Sequence, residues 1–260
     1  MRFSLSAFAW FFVAGFLSIT GANAGCWLGR PQAVSIHGYS DDGIFTLEDG
    51  RELVLSGLER PSSPAAIAAW RQATAQLIAH PVMLYMEKAN SEDRYGRLQA
   101  FVVMSGNLLQ ERLVASGWAR VHPIKGLHTC LSELMQTEAR ARAAGLGIWS
   151  EPAYRLLDAV DTKTLLGRQG TYQIVSGEVH AATRKRGRLY LNFGSDWKSD
   201  FTVTVAPLDA RLFESPTFGG ENASSADIVG KQVRVRGFLS RYNGPDMEIT
   251  SPDQIEVLGD

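Results

Sequence analysis

The sequence predicts a mainly β chain with helices (α+β), organised as two units. Three observations carry this. Between Ala33 and Gly57 apolar and polar residues alternate on both sides of an Asp49-Gly50 pair, the texture of a hairpin. From Ser62 to Ala144 helix-period stretches with recognisable caps are interleaved with strand-like runs. Beyond residue 170 the alternation is almost unbroken.

The first 24 residues read as an export leader. Arg2 supplies a short positive region, "AFAWFFVAGFLSI" is an apolar run shorter than the ~20 residues that span a bilayer, and Ala22 to Ala24 form a small-x-small cleavage site. The expected mature chain is periplasmic or secreted, has no transmembrane span, and keeps about 236 residues (260 minus 24), enough for two small cores. The 26 Lys and Arg nearly balance the 27 Asp and Glu, so bulk charge selects no polyanionic partner. The basic set is nevertheless rich in Arg, the better bidentate ligand for phosphate and carboxylate. Cys26 and Cys130 are disulfide candidates in an oxidising compartment, and their separation excludes a CxxC zinc arrangement. The five histidines show neither HxxxH nor HExxH spacing.

In order, "AVSIHG" and "IFTLEDGRELVLSGL" give the first strands. "SSPAAIAAWRQATAQLIAH" gives a helix capped by Ser62 or Ser63 with Pro64 in its first turn. Strands follow at "VMLYMEK" and "RLQAFVVM", then a short helix, "NLLQERLVASG", ending at Gly117. "WARVH" reads as a strand. A last helix from about Cys130 to Ala144 sets Leu131, Leu134, Met135 and Ala139 on one side and stops at Gly145. The predicted domains are 25–151 and 171–260, joined by a linker at 152–170 with a helical piece. The second unit reads as strands at 172–182, 188–194, 200–206, 231–240 and 246–258, with a connector at 207–230. Three strands, a connector and two strands is the order of a five-stranded Greek-key barrel of the OB type.

The first unit resembles the staphylococcal nuclease (thermonuclease) family. The resemblance rests on "DDGIFTLEDGRELVLSGLERP", "DRYGRLQAFVVMSGNLLQERLVASGWARVHP" and "EARARAAGLGIWSE", and covers about residues 33–151. It implies an OB-type barrel with three helices and a phosphodiester hydrolase that holds Ca²⁺ on carboxylates. It further implies that two arginines grip the phosphate and that a glutamate activates water. Laid on the family pattern, Arg97 keeps the phosphate-contact position that ends the D-[KR]-Y-G-R turn. Glu59 stands at a metal-ligand Asp position. Val54 replaces the other arginine, and Ser62 replaces the glutamate base. On the first hairpin the ligand position falls on Gly43, with Asp42 one residue early beside Asp41. A one-residue slip turns a strand side chain to the opposite face, and valine donates nothing to phosphate. The pattern implies lost or altered catalysis, with no cofactor expected, or Ca²⁺ if the site is active. Arg97 and Gly96 also have a plain role in closing a tight turn.

In the second unit, Arg184, Lys185, Arg186 and Arg188 form a basic hairpin turn close to Tyr190, Phe193 and Trp197. That set suits an oligonucleotide surface on an OB barrel, and equally a solvated turn. Three readings of function follow: a binding or scaffolding module for nucleic acid, another polyanion or a protein; a Ca²⁺-dependent nuclease rearranged around Asp42, Glu59 and Arg97; or a structural envelope component.

Overall fold

The structure is a computed structural model that describes residues 30–40, 44–78, 80–87, 91–218 and 227–259. The leader, Cys26 and the Asp41-Asp42-Gly43 turn lie outside the described residues.

In the first unit the long strand β1 (Pro31–Tyr39) pairs twice. Its first half lies antiparallel to β5 (Pro81–Tyr85). Its second half lies antiparallel to β2 (Phe45–Leu47), with a register irregularity between Ile36 and Gly38 where the strand bends. β2 pairs with β3 (Glu52–Leu55) through the Asp49-Gly50 turn, in which Gly50 has φ +85°. β3 runs parallel to β6 (Leu98–Met104), and β6 returns to β5. Five strands thereby close into a barrel, and alternation sends Phe45, Leu47, Leu53, Leu55, Leu98 and Ala100 into one core.

Two short pairs flank the barrel: β4 (Leu58–Glu59) with β8 (Arg120–Val121), and β7 (Asn107–Leu108) with the end of β6. α1 (Pro64–Thr74) starts at Ser63, whose Oγ accepts from the Ala66 amide at 3.3 Å, with Pro64 in its first turn. α2 (Leu109–Ala115) packs on α3 (Leu131–Ala143). The chain after α2 turns at Gly117, φ +71°, where an added Cβ would sit 2.1 Å from the Leu146 carbonyl oxygen. Gly147 faces it under the same restriction, its added Cβ 2.3 Å from the Gly117 carbonyl oxygen. No helix among the described residues is long and apolar enough to cross a membrane.

Of residues 152–170, read from sequence as a linker, Tyr154 packs against the first unit, and the stretch from Leu157 to Leu166 packs on the second. β9 (Leu157–Asp158) runs parallel to β10 (Tyr172–Glu178). α4 (Thr162–Leu166), capped by Asp161, buries Leu165 completely in the second core. The apolar spacing of Leu157, Ala159 and Leu165 gave this segment a face that only burial satisfies.

β10 and β11 (Ala181–Lys185) together play the part of β1. β10 pairs with β14 (Gln232–Tyr242) and β11 with β12 (Arg188–Asn192). β12 pairs with β13 (Thr202–Val205), which runs parallel to β15 (Gly244–Ile249), and β15 returns to β14. β16 (Ile255–Val257) adds to the free edge of β14. The connectivity repeats that of the first barrel, and the fold is α+β with two five-stranded barrels of the OB order.

The barrels meet along a polar seam. Glu138 of α3 is fully buried, and its Oε1 accepts from the Val121 amide at 2.7 Å. Its Oε2 lies 2.8 Å from Arg236 Nη1 of β14 and 3.4 Å from Arg142 Nη1. Arg236, 1% exposed, also pairs with Glu256 and donates to the Val121 carbonyl at 3.2 Å. Arg120 donates to the Tyr172 carbonyl at 2.6 Å and is stacked between the Tyr154 and Tyr172 rings, 5.0 and 4.9 Å from their centroids. Tyr172 Oη donates to the Val121 carbonyl at 2.8 Å. Toward the rim, Lys125 pairs with Asp209 at 2.5 Å and His128 Nδ1 lies 3.1 Å from Asp253.

Removing one partner of a buried ion pair strands the other charge, so Arg236→Met should cost about 3–5 kcal/mol in urea unfolding. Glu138→Met combined with Arg236→Met should be more stable than Arg236→Met alone. Additive losses in the double variant would contradict a coupled buried pair.

Candidate functional site

Of the family-pattern positions, Val54, Glu59, Ser62 and Arg97 lie among the described residues, and they fall on separate elements. Leu53 and Leu55 point into the core, so Val54 faces outward, half-buried, opposite Gln99 of β6. Arg97, two residues before Gln99, leads onto the same face. The Asp93–Arg97 turn is held tightly. Asp93 Oδ1 accepts from the amides of Tyr95 and Arg97 at 2.9 and 3.0 Å. Its Oδ2 takes the Nε and Nη2 edge of the Arg97 guanidinium at 2.7 and 2.6 Å. That guanidinium lies 4.9 Å from the Tyr95 ring centroid. Gly96 supplies φ +75°.

Glu59 sits in β4 opposite Arg120 of β8. Its Oε2 is 3.6 Å from His122 Nδ1. The His122 ring packs on Tyr172 (4.8 Å between centroids) and Phe238 (5.8 Å), both from the second barrel. The second unit therefore reaches the edge of the candidate site. Ser62 belongs to a different arrangement. Its amide and that of Ser63 both donate to Tyr154 Oη, at 2.8 and 2.9 Å, and Ser63 Oγ donates to Glu151 Oε1 at 3.1 Å. The position of the family's base anchors the start of α1 to the segment after α3.

Calcium takes six to eight oxygen ligands. Of the family's ligand positions, Glu59 is the one carboxylate among the described residues, and it faces His122 and the Arg120 cation. Among the described residues no three His, Cys, Asp or Glu are grouped to hold a metal. Asp42, the shifted ligand, lies outside the described residues.

The basic turn of the second barrel is a two-residue hairpin. Arg186 and Gly187, with φ +50° and +79°, connect Lys185 to its pairing partner Arg188. Lys185, Arg186, Arg188, Tyr190 and Trp197 come together around a groove of about 590 Å³. Arg184 does not join them. It alternates to the other face of β11 and donates to the Phe213 carbonyl at 3.0 Å. Phe193 likewise turns into the core. Sequence reading missed the groove's other side, Thr202 and Thr204 of β13 with Tyr242, Asn243 and Asp246 of the β14–β15 turn. The alternation of "GPDMEI" carried that signal, since Asp246 and Glu248 occupy one face while Met247 and Ile249 fill the core. Arg188 pairs with Glu248 at 2.7 Å. Burial, reinforced by Glu248, pushes the Asp246 carboxyl above the usual carboxylate range, against the Ser240 hydroxyl that holds it at 3.0 Å.

The barrel order, the "DRYGR" turn and the α3 segment define a nuclease-like domain. Residues 59–151, about a third of the chain, match the family described as Staphylococcal nuclease homologue, and this part of the chain is similar to that family. The chain is 34% identical over 74 residues to the SPbeta prophage-derived endonuclease YokF of Bacillus subtilis (strain 168), covering 28% of this chain and 25% of that protein. It is 34% identical over 74 residues to Endonuclease YncB of the same organism, covering 28% and 35%. A third relative, an uncharacterized protein of Bacillus anthracis, is 34% identical over 76 residues, covering 29% and 36%. The chain thus spans between 25% and 36% of the length of these curated relatives. β1 to β3, with Val54 and the Asp41–Gly43 turn, precede the matched residues.

The Asp93 carboxyl is held below its usual range. Burial opposes this and is outweighed by the Arg97 hydrogen bond and by the amides of Arg97 and Tyr95. A depressed folded-state pKa gives stability that is full above the unfolded-state value of ~3.9 and lost as pH falls through the lower folded value. Asp93→Asn keeps a backbone acceptor and loses the charge. It should cost about 1–2 kcal/mol at pH 7, with the difference from wild type closing below about pH 4 in urea titrations run across pH.

Proposed function

We propose that the chain is an exported nucleic-acid-binding protein whose nuclease-like barrel does not cleave its ligand appreciably. The observation that carries this reading is the structural use of the base position: the Ser62 amide is bound to Tyr154 Oη at the start of α1. Val54 supports it, since a phosphate on this face meets one arginine where the family offers two. Loss of one preorganised donor typically lowers turnover ~10²–10³-fold, and loss of a general base ~10²–10⁴-fold. These factors need not multiply, yet either leaves a poor enzyme. Two of the relatives are named endonucleases, which favours nucleic acid over a protein or another polyanion as the ligand. The same names favour a second reading, a phosphodiesterase rearranged around Asp42, Glu59 and Arg97.

Turnover of a single-stranded DNA with added Ca²⁺ decides between them. The expected result is no appreciable cleavage. Robust cleavage that disappears in both Glu59→Ala and Arg97→Ala would overturn the proposal in favour of the rearranged enzyme.

Export is supported by the leader pattern and by Cys130, which is disulfide-bonded and 4% exposed at the start of α3. Cys26, the chain's other cysteine, is the proposed partner, tying the mature N-terminus to the first barrel. Peptide mapping of the exported protein without reductant should recover a Cys26–Cys130 cross-link. Reduction should then lower stability by ~2–4 kcal/mol. Free thiols in the exported protein would count against both the bridge and the compartment.

A further inference from the structure

The groove on the second barrel has an order along its length that the turn sequence alone does not convey. Its floor is the outward face of β12 and β13, where Tyr190 pairs across to Thr204 and Asn192 to Thr202. One end is basic: Lys185 and Arg186 stand there, both exposed, beside Pro207. The other end is aromatic: Trp197, in the β12–β13 loop, is 58% exposed and Tyr242, at the end of β14, is 72% exposed, and both border the groove. Tyr190 lies between. The length of β12 from Arg188 to Asn192 sets the two ends ~13 Å apart.

We propose that this groove binds single-stranded nucleic acid, with bases stacked on Trp197, Tyr242 and Tyr190 and the phosphate backbone drawn to Lys185 and Arg186. Large exposed aromatics cost solvation unless they meet a partner with a flat face, and every base offers one. Lys185 and Arg186 have no recorded ion-pair partner among the described residues, while Arg188 is neutralised by Glu248. With cations at one end and flat exposed rings at the other, the groove fits a nucleotide chain, its phosphates toward Lys185 and Arg186 and its bases toward Trp197 and Tyr242. This rests on the reading of nucleic acid as the ligand and places that ligand on the second barrel.

The test is fluorescence anisotropy of the full mature protein with a labelled eight-nucleotide single-stranded DNA, a length within the range one OB barrel covers. Trp197→Ala and Tyr242→Ala should each weaken binding about 5- to 150-fold. Lys185→Ala combined with Arg186→Ala should lower the salt slope of log K by about 1.4. All four side chains are exposed, and unchanged thermal melting would confirm that the variants fold. Oligonucleotide binding that none of these substitutions alters would overturn the groove and leave the binding function standing. Absence of binding in the wild type would overturn both. A soluble polyuronate that displaces the DNA, and whose own binding falls in Trp197→Ala, would reassign the groove to a saccharide and overturn the proposal.

Discussion

The buried contact between Glu138 and Arg236 is the constraint on which the arrangement of this molecule depends. A carboxylate with no exposed surface is tolerable only if each oxygen is matched. Here the matching groups come from three places: the β8 backbone, α3 itself and the second barrel. Satisfying one charge thus fixes three elements relative to one another. Arg236 in turn requires Glu256, beside its own strand, and the Val121 carbonyl. The seam is a specification of geometry more than a source of stability, because desolvating the charges consumes much of what their attraction returns.

The consequences reach the candidate site through β8. Val121 sits in the seam, its neighbour Arg120 is clamped between Tyr154 and Tyr172, and Arg120 is the strand partner of Glu59. His122, the next residue, meets Glu59 on one side and Tyr172 with Phe238 on the other. The position where the family pattern puts a metal ligand is therefore one strand away from the barrel interface. Tyr154 shows the same substitution of roles at Ser62, where one hydroxyl oxygen receives two backbone amides. These contacts join α1, the segment after α3 and the second barrel around β8.

Much of the fold was legible because local rules and tertiary packing agree. The Asp49-Gly50 turn, the Ser63-Pro64 helix start, the Gly117 stop and the five strands of each barrel follow from period, cap and turn chemistry. The failures have one physical cause, partners distant in sequence. Glu138 and Arg236 drew no reading from the sequence, since nothing near them announces burial by each other 98 residues apart. Residues 152–170 read as a linker because the surfaces that receive their apolar side chains are supplied by elements distant in sequence. Arg184 is a different kind of miss. Its strand parity already turned it away from Lys185, and composition was allowed to outweigh alternation.

Two barrels with one connectivity invite a comparison of their outward faces. On the first, β3 and β6 present Val54 and Gln99, and the one remaining family arginine is braced by Asp93 and Tyr95. On the second, β12 and β13 present Tyr190, Asn192, Thr202 and Thr204 beneath open aromatic and basic rims. Closing a barrel needs only the inward residues of each strand, so the outward set is free to diverge without cost to the fold. The first face carries Val54 and Gln99 at its centre; the second carries side chains that packing does not require. Each barrel thus carries its own exposed aromatic and basic set, Tyr95 with Arg94 and Arg97 on the first and Trp197 and Tyr242 with Lys185 and Arg186 on the second, and the second set lies outside the residues of the nuclease-like match.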